Sequence, residues 1–126
     1  MARVRGALRL KRVYEAPDES DGLRILVDRL WPRGIAKEKA HIDLWLKDVA
    51  PSNDLRRRFH GKPGAWKEFT AAYAKELARE PALSLAAAIE GNLADTAVTL
   101  LYAARDTEHN NAVALRDWLL SRRHNT

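Results

Sequence analysis

A chain of 126 residues, 46% hydrophobic and 31% charged, has the size and composition of one globular domain, expected to span residues 1–126. The absence of cysteine excludes disulfides, thiolate nucleophiles and zinc sites built on sulfur; His41, His60, His109 and His124 form no HExxH or similar pairing, so neither a metal nor a cofactor is expected. The net charge of +5 is local: residues 1–14 carry Arg3, Arg5, Arg9, Lys11 and Arg12 without an acid, and the rest of the chain is balanced.

The opening MARVRGALRLKRVY has no apolar core of a secretory signal, and no later run is long enough to span a bilayer, so a cytoplasmic protein without a membrane partner is expected. Leu8 and Leu10 alternate with Arg9 and Lys11, which predicts a first strand with one wet face. Its outward cations suit an edge strand protected from edge-to-edge pairing; the competing reading is contact with a nucleic-acid backbone. APDESDG, residues 16–22, reads as a loop. In LRILVDRL the continuous Ile25, Leu26 and Val27 predict a central strand covered on both faces. HIDLWLKDV sets Ile42, Leu44 and Leu46 against Asp43, Trp45 and Lys47, predicting a third strand that stops at Ala50-Pro51, with a short helix as the competing reading.

Ser52-Asn53-Asp54 supplies caps for a short helix through Leu55 and Phe59 that ends near Gly61. Arg56, Arg57 and Arg58 on that helix read as a solvated face or, alternatively, a nucleic-acid contact. Trp66, Phe69, Tyr73 and Leu77 recur at three and four residues, the core stripe of a second helix. A third helix begins near Pro81 and carries Leu85, Ala88, Ile89 and Leu93, with Gly91 a potential early stop. AVTLLYAA, residues 97–104, is the most hydrophobic strand; a closing helix follows, with Val113, Leu115, Trp118 and Leu119 facing inward and Asp106 or Thr107 as its cap.

Strands joined by helical segments predict an α/β fold, a three-layer sandwich with a small, mainly parallel β-sheet of about four strands flanked by helices. Ligands of open parallel sheets bind beyond the carboxyl ends of the strands. Two strands here end in charge: one runs into Asp28, Arg29, Trp31, Pro32, Arg33 and Gly34, the other into Arg105, Asp106, Glu108, His109, Asn110 and Asn111. If they are parallel neighbours, these groups share a rim. Arg29, Arg33 and Arg105 offer planar forks for phosphate or carboxylate, and Trp31, Asp106, Asn110 and Asn111 complete a candidate binding set for a small anionic ligand such as a phosphorylated metabolite or nucleotide. Asp28 and His109 are the candidate catalytic groups, able to move protons near neutral pH. The alternative is that Asp28, Arg29, Arg105 and Asp106 form an ion network that docks loops in a non-enzymatic interaction or scaffold protein. No GxGxxG, GxxxxGK[ST] or GxSxG occurs, which leaves dinucleotide, P-loop and α/β-hydrolase chemistry without its parts.

Four segments in order, LVDRLWPRG, DLWLKDVAPS, the W..F...Y..EL helix and VTLLYAARDTEHNNA, together resemble the YeaO-like branch of the bacterial domain-of-unknown-function 488 family. The resemblance covers nearly the whole chain and implies a small cytoplasmic α/β protein. It carries over Asp28, Arg29, Trp31, Pro32, Arg33 and Gly34, then Trp45 and Pro51, then Arg105, Asp106, His109, Asn110 and Asn111. Some relatives in the wider family carry a cysteine in the loop after the last strand; this cysteine-free member reads YAARDTEHNNA there, so a thiol-dependent activity does not transfer. Members are sometimes labelled transcriptional regulators, yet no helix-turn-helix pattern is present.

Overall fold

The computed structural model describes residues 7–124, so Arg3 and Arg5 of the basic N-terminal segment lie outside the described residues. Four parallel strands, β1 (Leu8–Arg12), β2 (Leu23–Leu26), β3 (Leu44–Trp45) and β4 (Val98–Tyr102), form one sheet in the order β1-β4-β2-β3. Every residue of β4 is buried, as its unbroken apolar run requires, while β1 takes the edge and exposes Arg9. β2 pairs with β4 from Leu23↔Val98 to Leu26↔Leu101, so the two strands read as charge-terminated are parallel neighbours.

Among the described residues, five α-helices accompany the sheet: α1 (Lys37–Ala40), α2 (Asn53–Phe59), α3 (Trp66–Leu77), α4 (Ala82–Leu93) and α5 (Asn111–His124). One face of the sheet, with Ile25, Val27, Val98, Leu100 and Tyr102, packs on Leu55, Tyr73, Leu77, Ile89, Leu93, Leu115 and Leu119 from α2 to α5. On the other face Leu26, Leu101 and Val13 meet Trp31, Ile35, Ile42 and Trp45. That third layer is mostly irregular chain, with α1 as its only helix among the described residues, because both tryptophans fill it: their rings meet edge-on at 5.4 Å.

The third strand is shorter than its alternation suggests. Leu46 donates to the Leu26 carbonyl at 2.9 Å and the chain then coils into a 3-10 turn, Lys47–Val49. Two contacts favour the coil over further pairing: Val49 is buried, its carbonyl accepting the Tyr73 hydroxyl, and Arg29 draws in the carbonyls of Ala50 and Pro51. Gly91 does not stop α4, which continues to Leu93. The cap of α5 is Asn110, whose side-chain oxygen accepts from the Val113 amide at 2.9 Å; Asp106 instead accepts from the amides of Glu108 and His109, closing the turn before the helix.

A buried ion cluster precedes β2. Asp21 and Arg24 are each only 4% exposed, and the Asp21 carboxylate receives Arg24, Lys11 at 3.1 Å and the Asp18 amide at 3.1 Å. Arg24 spends its remaining donors on the carbonyls of His41 (2.8 Å) and Ala40 (3.2 Å), so both buried charges of this cluster have partners that help offset their desolvation.

Candidate functional site

Because β2 and β4 run side by side, residues 28–34 and 103–111 leave the sheet together, and Asp28 ties them. One carboxylate oxygen accepts from the Ala103 amide at 2.9 Å and the other from the Asn111 side chain at 3.1 Å; the same Asn111 amide donates to the Val27 carbonyl at 2.9 Å. Three chain segments, the ends of both strands and the start of α5, therefore meet on one side chain. Burial pushes the Asp28 carboxyl above the usual carboxylate range, against the pull of those donors. Asp28→Asn, which can offer only one oxygen to two donors, is expected to lower stability by about 1–3 kcal/mol in urea unfolding.

The remaining predicted residues divide between building the rim and facing the space it encloses. The Arg29 guanidinium is committed to the Pro51 carbonyl (3.3 Å), the Ala50 carbonyl (3.1 Å) and Asp48 (3.5 Å), clipping the lead into α2 to the end of β2. Trp31 donates its indole N–H to Ile35 at 2.7 Å and Trp45 donates to the Asp28 carbonyl at 2.8 Å, so both are anchored core rings, with Trp31 also reaching the rim. Arg33 is exposed on the rim, its carbonyl held by the Tyr14 hydroxyl at 3.0 Å. Arg105 is exposed and does not line the enclosed space. The expected convergence of three arginines thus reduces to Arg33 alone with its fork turned to no internal partner among the described residues.

Asp106 is held below the usual carboxylate range by the backbone amides of His109 and Glu108. Its second oxygen lies 3.8 Å from His109 Nδ1, and the His109 ring rests against Trp66 with centroids 4.8 Å apart. Asn110 is buried and used up as a cap, its amide donating to the Asp106 carbonyl at 2.8 Å. Asp106, Asn110 and Asn111 therefore shape the wall on which His109 sits.

The enclosed space is a cleft of about 850 Å³ between this rim and the segment from α2 to the start of α3. From that side come Arg56, Arg57, Phe59, His60, Lys62, Trp66 and Phe69. Arg57 pairs with Asp54, and Arg56 donates to the Asn53 side-chain oxygen at 3.4 Å. Among the described residues, Arg33, Arg56 and Lys62 line the cleft without an ion-pair contact, although the Arg56 charge acts on Asp28; against the acids Asp28 and Asp106 the cleft stays cationic. From sequence the RRR run reads as a solvated face or a nucleic-acid contact and Trp66 and Phe69 as core, while Lys62 has no assigned role. The available signal was position, since RRRFHGK closes α2 and leads to the aromatic stripe. Arg12 of β1 was also missed as a rim residue; its fork donates to the carbonyls of Ala103 and Ala104 at 3.0 Å each, pinning the end of β4.

Fold and cleft define a small α/β protein with a parallel four-stranded sheet and a cation-lined hollow beyond the ends of its central strands. The chain belongs to the DUF488 family: residues 7–126 match the family model DUF488-N3i, described as the inactive DUF488-N3 subclade. It is 45% identical over 119 residues to "Uncharacterized protein YeaO" of Escherichia coli (strain K12), covering 90% of this chain and 97% of that protein. It is 40% identical over 115 residues to "Uncharacterized protein Mb3100c" of Mycobacterium bovis and to "Uncharacterized protein Rv3073c" of Mycobacterium tuberculosis, each alignment covering 91% of this chain and 95% of the relative. No solved structure matches the chain. Among the described residues, no helix is long and apolar enough to cross a membrane.

Proposed function

We propose that the cleft binds a small anionic ligand carrying a phosphate or similar group, and that it does so without turnover. The observation that carries this reading is the excess of cations on a concave surface: Arg33, Arg56 and Lys62 form no ion pair there among the described residues, and the acids Asp28 and Asp106 are outnumbered. Cations of a purely structural network would be paired, as Arg24 and Arg29 are. In this reading Arg29, Asp106, Asn110 and Asn111 hold the walls in place.

Binding is favoured over acid/base catalysis by two features of the groups best suited to move protons. Both oxygens of Asp28 already accept hydrogen bonds from Ala103 and Asn111, and His109 has a face against Trp66. The family model's description as an inactive subclade agrees. A nucleic-acid module using the N-terminal strand and Arg56–Arg58 has less support, because Lys11, Arg12 and Arg57 are engaged with Asp21, the end of β4 and Asp54.

A thermal-shift panel of inorganic phosphate, pyrophosphate and phosphorylated metabolites tests the reading. At least one of them should raise the melting temperature of the wild type, and an Arg56→Ala/Lys62→Ala variant should lose that rise while keeping its own unliganded melting temperature. An equal rise in the variant, or none in the wild type, would refute it.

A further inference from the structure

Among the cavities, ion clusters and exposed patches of the molecule, the aromatic part of the cleft lining carries the most information about a ligand. Phe59, Trp66, Phe69 and His109 make it up. Their rings form a connected row: Phe59 meets Phe69 edge-on at 5.9 Å, Phe69 stacks with Trp66 at 5.5 Å, and Trp66 meets His109 at 4.8 Å. Phe69 continues inward to the buried Tyr73, which anchors the row in the core. Phe59, Trp66 and Phe69 are only half-buried and His109 is exposed, so ring surface is left facing the cleft.

A bare phosphate gains nothing from such a wall, and a sugar phosphate offers it only the small C–H face of its ring. A planar base offers more: base–aromatic stacking tolerates any base because each has a π-face. The cleft volume of about 850 Å³ falls within the range of sites that hold small organic ligands, and far exceeds the space a lone phosphate needs. Resting on the anion-binding reading, we infer that the ligand is a nucleotide, its base against the Phe59–Trp66–Phe69–His109 wall and its phosphate among Arg33, Arg56 and Lys62.

Calorimetric titration of the full chain with the four common nucleoside 5′-monophosphates, ribose 5-phosphate, inorganic phosphate and the four nucleosides tests the inference. At least one nucleotide should bind about tenfold or more tightly than ribose 5-phosphate and than its own nucleoside. Trp66→Leu should erase most of that advantage while leaving ribose 5-phosphate affinity unchanged. His109→Ala, at an exposed position where folding is not at stake, should reduce the same advantage and gives the answer if the Trp66 variant does not fold. Equal affinity for nucleotides and ribose 5-phosphate overturns the nucleotide inference and leaves anion binding standing; so does a loss in either variant that is the same for both ligands. A nucleoside binding as tightly as its nucleotide also overturns it. Absence of binding by every phosphate-containing probe removes the anion-binding reading and the inference with it.

Discussion

Asp21→Ala is expected to lower the unfolding free energy by about 3–5 kcal/mol, because it leaves the buried Arg24 guanidinium without its counter-charge. Two backbone carbonyls, those of Ala40 and His41, would remain on Arg24, but they supply partial charges where a full one was lost. The effect is large against the roughly 5–15 kcal/mol that holds a domain of this kind together. Its pH dependence has a definite sign. Burial alone would raise the Asp21 carboxyl, but the Asp18 amide, Lys11 and Arg24 outweigh it and hold the group below the usual carboxylate range. A carboxylate with a depressed folded-state value contributes stability that is fully present above its unfolded value near 3.9 and is lost as pH falls through the folded value. Urea midpoints of wild type and Asp21→Ala should therefore be well separated at neutral pH and converge in acid, below about pH 4. A separation that stays constant into strong acid would mean that the ion cluster is not what the substitution removes.

Gly22→Ala should be comparably damaging, for a reason of space and backbone rather than charge. Gly22 has φ of 64° and ψ of −133°, which side-chain-bearing residues rarely adopt, and a Cβ there would lie 2.2 Å from the Ala97 carbonyl oxygen and 2.7 Å from its carbon. Those atoms are backbone, and the same oxygen accepts the Leu23 amide at 2.9 Å where β2 begins to pair with β4. Relief requires moving one central strand against the other, so strain and overpacking together are expected to cost roughly 3–5 kcal/mol. Gly61 provides the control: its φ is 70°, yet nothing lies within 4 Å of an added Cβ. Gly61→Ala should cost only the backbone term, about 1–2 kcal/mol. Similar urea midpoints for the two variants would show that the contact with Ala97 is not the controlling feature.

The parts of the fold readable from sequence were those set by long-range hydrophobicity. Ile25-Leu26-Val27 and VTLLY read as central strands and Arg9 and Lys11 marked the edge, but that the two central strands are neighbours came only from their pairing. The Trp66–Leu77 stripe was legible as a helix but not as two surfaces, since periodicity identifies the face that leaves water and not which end of it emerges into a cleft. Charged residues were hardest to assign. Arg24 interrupts an apolar run and Arg29 follows one; both look alike in sequence, yet one is neutralised by Asp21 and the other bridges to Asp48, Ala50 and Pro51, partners supplied by tertiary contact. Arg56 and Lys62 line the cleft on a segment whose lead-in Arg29 clips to the end of β2. The division of the expected strand 41–49 into two paired residues and a turn has the same origin.

Amide correlation spectra of nitrogen-labelled protein titrated with pyrophosphate locate an anion on the molecule residue by residue. Signals from residues 28–34, 56–62 and 103–111 and the Trp66 indole should move together and saturate, since these segments surround one cleft. The shallow groove between α2 and α3 offers Arg58, Lys75 and Arg79 alongside Glu68 and Glu76, and signals there should stay in place. Saturating shifts confined to that groove or to β1, or no saturating shifts at all, would contradict a site built where β2 and β4 end.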